Sequence, residues 1–283
     1  MNLHLQGAVA IQDDLVSDVF ISVKKLQTAG VRFWILTGDK ADTAEAIALT
    51  AGVIDPSQEL LRLTATNLLT DSSRSLYDTL LEVLKDYSER NSHNSILVDE
   101  SVMDVVFKDS YSDSEESQDV ITEPPSLRQL FLGCLCSSQS VIIARMRKDQ
   151  KQIITMQLKE YGKMVRLSNL NNIKTSQSIH VLCVGDGAND IGMIRESDIG
   201  IGIKGKEGLQ AYNNCDVGLP SFRYMSKLLF VHGKSNEMRL QTLILYFLYK
   251  NTLLSIITLL LSYITVFSGL KVMPSWGIDF YNT

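Results

Sequence analysis

Apolar and polar positions follow a strand-and-helix rhythm along most of this chain, which then gives way to one long apolar run. Leu3 to Ile11 is apolar and strand-like and closes on the acidic turn Asp13-Asp14. Val16, Val19, Phe20, Val23 and Leu26 then recur at helical spacing, with Gly30 placed to end that helix. Val31 to Leu36 is a short apolar strand feeding Thr37-Gly38-Asp39-Lys40. Ala44, Ile47, Ala48 and Ala51 then mark one face of a second helix, which Gly52 follows. Strand, loop and helix in repetition predict an α/β fold with a parallel sheet and right-handed crossovers.

The stretch from about 88 to 126 breaks the rhythm. It holds an apolar island, Ile96-Leu97-Val98, then a polar, acidic run from Lys108 to Glu123 that is expected to be a solvated loop, and Pro124-Pro125, so the whole stretch is expected as a polar loop. Order resumes with a helix near Leu127 to Cys136, a strand from Ser140 to Ala144, and a helix from about Asp149 to Tyr161 that Gly162 ends. A second polar loop, Ser168 to Ser178, precedes an apolar strand from Ile179 to Val184. From Leu243 to Phe267 the chain is almost wholly apolar, broken by Lys250-Asn251 and some hydroxyls. Its length fits a bilayer span of roughly 20 residues. A run this long without a polar face is a poor match to the core helix of a soluble domain.

Composition narrows the function classes. A formal net charge of -5 argues against a broad electrostatic grip on nucleic acid. The four cysteines, Cys134, Cys136, Cys183 and Cys215, are too sparse for a disulfide scaffold. Cys134 and Cys136 have no histidine nearby to complete a zinc site.

The chemistry concentrates at strand ends. Gly185-Asp186-Gly187-Ala188-Asn189-Asp190 follows one apolar strand and precedes an apparent helix containing Met193 and Ile194. Asp186 and Asp190, four apart across a strand-to-helix turn, can present oxygens to one hard cation. Mg2+ suits such a pair, because water and phosphate complete its octahedron. A plain glycine-rich turn with Asp190 as helix cap is the alternative. Thr37-Gly38-Asp39 sits at another strand end, where a hydroxyl and helix N-terminal amides can hold phosphate oxygens. Lys151, early in its helix, offers a cation for the same phosphate, although Thr37 alone could be a cap and Lys151 a surface charge.

Together these segments resemble the haloacid-dehalogenase-like, Rossmannoid phosphorylation domain of P-type ATPases: TGDK at 37–40, Gln150-Lys151, and GDGAND at 185–190. The resemblance implies that Thr37 and Lys151 hold the phosphate of an aspartyl phosphate, that Asp186 and Asp190 bind Mg2+, and that Asn189 assists. It further implies that Thr37, Gly38, Asp39 and Arg145 contact ATP. Gly200 to Ala211, Leu228 to Lys234 and Tyr246 to Asn251 are similar to the phospholipid-transporting (flippase, type IV) branch, at and before its fifth transmembrane helix. No Asp or Glu lies between Glu237 and Asp279, where a cation pump would want hard ligands. Lys250 is then implied to lie along the lipid path, with snorkelling to the interface as the alternative.

The organisation expected from this resemblance is a cytosolic domain over 1–236 with a polar loop at 88–126, a transmembrane region over 237–270, and the start of the next membrane segment over 271–283. A phospholipid substrate, the membrane and an accessory glycosylated membrane subunit are the implied partners. Three departures stand out. The chain has no Asp-Lys-Thr-Gly-Thr motif for the phosphorylated aspartate, so alone it is expected to be inactive. Gln12 replaces an acidic residue before Asp13. Met146-Arg147-Lys148 replaces Ser-x-Pro-like positions after Arg145. A regulatory pseudo-pump module fused to another enzyme, a cation-transporting ATPase and a soluble phosphatase of the same fold are the rival readings.

Overall fold

The computed structural model describes residues 18–68, 75–90, 94–107, 127–168, 179–205, 208–267 and 277. The strand expected over Leu3–Ile11, the acidic turn at Asp13-Asp14, the Lys108–Glu123 run and the loop near 168–178 lie outside them, apart from Ser168 itself.

The chain divides into two compact units, residues 1–226 and 227–283. In the first, β1 (Phe33–Leu36), β2 (Leu60–Leu63), β3 (Ser95–Val98) and β4 (Ser140–Ile143) form a parallel sheet ordered β1-β4-β3-β2. A second parallel sheet contains β5 (Leu182–Gly185), β6 (Ile199–Ile203) and β7 (Val217–Leu219), in that order. The expected parallel α/β architecture is thus present.

Strand alternation sorts the first sheet's side chains into two cores. Ile96, Val98, Val141 and Ile143 pack with Leu80 and Leu84 of α4 (Leu76–Arg90), Met103 of α5 (Glu100–Val106), Phe131 of α6 (Leu127–Ser137) and Ile154 of α7 (Lys148–Ser168). Leu97, Ile142 and Ala144 point the other way, onto Val23 of α1 (Val19–Thr28) and Ala44 and Ala48 of α2 (Ala41–Thr50). Gly30 and Gly52, with φ of 87° and 73°, follow α1 and α2 in the left-handed region that favours glycine at helix ends. A short helix, α3 (Ala65–Leu68), lies between β2 and α4.

Two expectations need correction. The stretch expected as a polar loop over about 88–126 contains β3, fully buried, and α5, whose Val102, Met103 and Val106 are buried. A strand buried on both faces shows no polar alternation, so four apolar residues between polar segments read as an island. Gly162 also does not end its helix: α7 continues to Ser168. There a Cβ would lie 3.1 Å from Ile179 Cβ, so Gly162 marks close packing rather than a stop.

After β5, a tight turn at Ala188–Asp190 leads into α8 (Ile191–Glu196), and α9 (Gln210–Asn213) separates β6 from β7. α10 (Met225–Lys227) spans the division between the units. In the second unit a π-helical stretch, Leu228–Gly233, precedes α11 (Lys234–Ile264), 31 residues long. The helical stretch Phe222–Ile264 is long and apolar enough to cross a membrane, and none of its most apolar window is buried.

Candidate functional site

The carboxyl ends of β1 and β4 build one part of the site. Thr37 follows β1, and its hydroxyl accepts from the Asp39 amide at 3.1 Å while donating to Asp39 Oδ2 at 2.9 Å. This local turn folds Gly38 and Asp39 back over the strand end. The loop after β4 is stitched to it: the Arg145 amide donates to the Asp39 carbonyl and the Met146 amide to the Thr37 carbonyl, both at 2.8 Å. Within this loop Arg145 has φ of 54°, uncommon for a residue with a Cβ. Thr37, Gly38, Asp39 and Arg145 therefore share one crest, with Gly38, Asp39 and Arg145 exposed.

The end of β5 builds the other part. A Cβ on Gly185 would lie 2.4 Å from Asp190 Cβ and 2.8 Å from its Oδ2; one on Gly205 would lie 3.1 Å from Asp186 Cβ and 3.2 Å from its Oδ2. Bare glycine backbone thus makes room for both carboxylates. Lys151 Nζ donates to Asp190 Oδ1 at 2.8 Å, with the two side chains 12% and 15% exposed. Asp186 and Asn189 are exposed.

Lys151 and Asp190 are thus in direct contact, and Thr37, Asp39 and Arg145 are joined through backbone bonds. Among the described residues no hydrogen bond or ion pair links Thr37 directly to Lys151, Asp186 or Asp190. The connection runs along the chain, from Met146 into the first turn of α7, where the Lys151 amide donates to the Arg147 carbonyl at 3.2 Å. Gln150, to which the resemblance assigns no role beyond its pairing with Lys151, is 1% exposed and bonded at both ends of its amide. A glutamine at the third position of a helix is a recognised reach-back signal that could have singled it out.

The donor set bears on which metal suits the site. Among the described residues no group of three or more His, Cys, Asp or Glu could hold an ion. Two carboxylates beside glycine backbone instead fit a hard cation that keeps oxygen ligands from water or phosphate, as Mg2+ does. Thiolate chemistry has no place there. Burial pushes Cys183, in β5, up to about 11, and does the same to Cys134 and Cys136. All four cysteines are free thiols. In the second unit Lys250 lies well inside α11, half-exposed with Asn251.

Comparison with known proteins decides the family. Residues 59–212 match the haloacid dehalogenase-like hydrolase model, and residues 212–283 match the C-terminal model of phospholipid-translocating P-type ATPases. Phospholipid-transporting ATPase DRS2 of Saccharomyces cerevisiae is 32% identical over 281 residues, 99% of this chain and 18% of the relative. The chain belongs to the phospholipid-transporting P-type ATPase family. Other members of this family align as fully: phospholipid-transporting ATPase 10 of Arabidopsis thaliana is 33% identical over 99% of the chain and 22% of its own length. Phospholipid-transporting ATPase IG of Homo sapiens is 31% identical over 99% of the chain and 24% of its own length. The chain thus spans about a fifth of the length of the curated relatives it matches. The haloacid dehalogenase-like match covers the strands from β2 to β6, and the C-terminal match covers α11.

Proposed function

We propose that this chain is the portion of an ATP-driven phospholipid flippase that holds Mg2+ and the phosphate of an aspartyl phosphate. The observation that carries the reading is the Lys151–Asp190 contact: it seats a cation beside the GDGAND carboxylates at a strand end, where phosphate is handled in this fold. Thr37 and Lys151 hold the phosphate, Asp186 and Asp190 hold Mg2+, Asn189 assists, and Gly38, Asp39 and Arg145 contact ATP. Bound there, Mg2+ supplies charge neutralisation on the phosphoryl oxygens.

The protein's own groups act by binding and orientation. The Thr37 hydroxyl, now directed at Asp39, is the donor that a phosphate oxygen would take over. The Lys151 ammonium, anchored by Asp190, offers its other N–H bonds to the same phosphate. The 283 residues contain no Asp-Lys-Thr-Gly-Thr acceptor motif, and the isolated chain is accordingly expected not to hydrolyse ATP. In this reading residues 1–236 form the cytosolic phosphorylation domain, 237–270 cross the membrane and 271–283 begin the next segment. Lys250 lies along the lipid path, and an accessory glycosylated membrane subunit is a partner.

The test uses the full-length protein that contains this chain. With ATP and Mg2+ it should form an acid-stable, alkali-labile phosphoenzyme whose turnover phospholipid stimulates. An active preparation that traps no phosphoenzyme refutes the reading, and ion-stimulated turnover would reassign it to a cation pump. Lys250→Ala should slow lipid movement while phosphoenzyme still forms.

A further inference from the structure

The loop after β4 is anchored from a second side, by residues that the proposed chemistry does not use. Gln150 Oε1 accepts from the Arg147 amide at 2.8 Å, and Gln150 Nε2 donates to Asp104 Oδ1 at 3.0 Å. Arg147 Nη2 reaches that same Asp104 oxygen at 3.0 Å, and Arg147 Nε lies 3.4 Å from Glu100 Oε1. Asp104 and Glu100 belong to α5, which follows β3, the strand beside β4. Arg147 immediately precedes α7, so the Gln150 contact is the reach-back half of a capping box. Arg147 has no hydroxyl to supply the other half, and the tie to α5 takes its place.

We propose that Gln150, with Asp104 and Arg147, is a positioning clamp that fixes the loop carrying Arg145 and thereby sets the affinity of the site for ATP. The proposal rests on the flippase reading above. Three facts support it. Gln150 is 1% exposed, and a buried amide is tolerated when both of its ends are bonded, as here. The clamped amide lies two residues after Arg145, which has a φ of 54° and whose own amide donates to the Asp39 carbonyl. The glutamine amide also matches its partners in polarity: the oxygen faces an N–H and the nitrogen faces a carboxylate. Leucine would satisfy neither, and glutamate would set two carboxylates together.

The experiment compares wild type with Gln150→Leu, Gln150→Glu and the exchanged pair Gln150→Glu/Asp104→Asn in the full-length protein. Two readouts are taken: the ATP dependence of phosphoenzyme formation, and hydrogen–deuterium exchange of the peptide covering residues 145–151. Each single variant should raise KM for ATP about three- to tenfold, the scale of a lost buried hydrogen bond, with the maximal phosphoenzyme level within about twofold of wild type. Exchange of the peptide should rise about tenfold, and the exchanged pair should restore both readouts. Unchanged exchange overturns the clamp. Faster exchange with an unaltered KM overturns its positioning role, and failure of the exchanged pair overturns the assigned pairing. A wild-type protein that forms no phosphoenzyme refutes the flippase reading instead, and the exchange measurement and its rescue then decide the clamp.

Discussion

Replacing Lys151 with methionine separates its two jobs, anchoring beside Asp190 and facing phosphate. The Nζ to Oδ1 distance is 2.8 Å, with the side chains only 12% and 15% exposed. At an effective dielectric of about 20, unit charges at that separation attract by roughly 6 kcal/mol before desolvation. Exposed pairs retain about 0.2–1 kcal/mol of such attraction, whereas breaking a buried pair costs about 3–5 kcal/mol. Partial exposure places this pair between those limits, at about 1.5–3 kcal/mol, or roughly 10- to 100-fold in an equilibrium constant. In Lys151→Met that attraction no longer competes for Asp190, so the Mg2+ concentration at half-saturation should fall by about tenfold or more. Phosphoenzyme formation should slow by at least about 100-fold, because the phosphate loses its cation. Mn2+ binding followed by electron paramagnetic resonance on the full-length protein reads the first quantity, and rapid-quench phosphorylation reads the second. A wild-type phosphorylation rate, or a raised metal requirement, would refute the reasoning.

Three further outcomes follow from close packing at β5 and from burial of thiols in β5 and α6. Gly185→Ala places a Cβ 2.4 Å from Asp190 Cβ and must displace that carboxylate; Mg2+-dependent phosphorylation should be lost while protein yield is kept, and a variant that phosphorylates normally would refute the crowding. Burial holds the thiols of Cys134, Cys136 and Cys183 up at about 11, against an ordinary 9.0. Between those values the unfolded chain has lost protons that the folded chain retains, so stability is full below about pH 9 and falls as pH rises toward 11. Thermal unfolding scanned across that window should show the decline. Alkylation of Cys183 at about pH 8 should be far slower in the native protein than after denaturation, and equal rates would contradict the burial.

The elements adjoining chemical motifs were the legible ones. Thr37-Gly38-Asp39 and the GDGAND run each interrupt an apolar strand abruptly, and the structure has β1 and β5 ending at those places. The region from β2 to α5 was harder. β3 offers four buried residues and no alternation, and β2 is equally short. α4 was readable in principle, since Leu80, Leu84 and Tyr87 recur at helical spacing and are all buried. The Gln150–Asp104 bond joins residues 46 apart, and a single sequence holds no local sign of such a contact. Gly162 misled for a physical reason: glycine both ends helices and lets them pack closely, and only tertiary structure separates the two uses.

The left-handed backbone at Arg145 bears on how its side chain can be studied. A residue with a Cβ is strained there by roughly 1–2 kcal/mol, and glycine is not. Arg145→Gly therefore deletes the guanidinium while relaxing the main chain, so the turn that it shares with Thr37 and Asp39 should survive the change. A protein that becomes firmer and binds ATP less well on that substitution would reveal an arginine kept for its reach, at a position where shape alone favours the smallest residue.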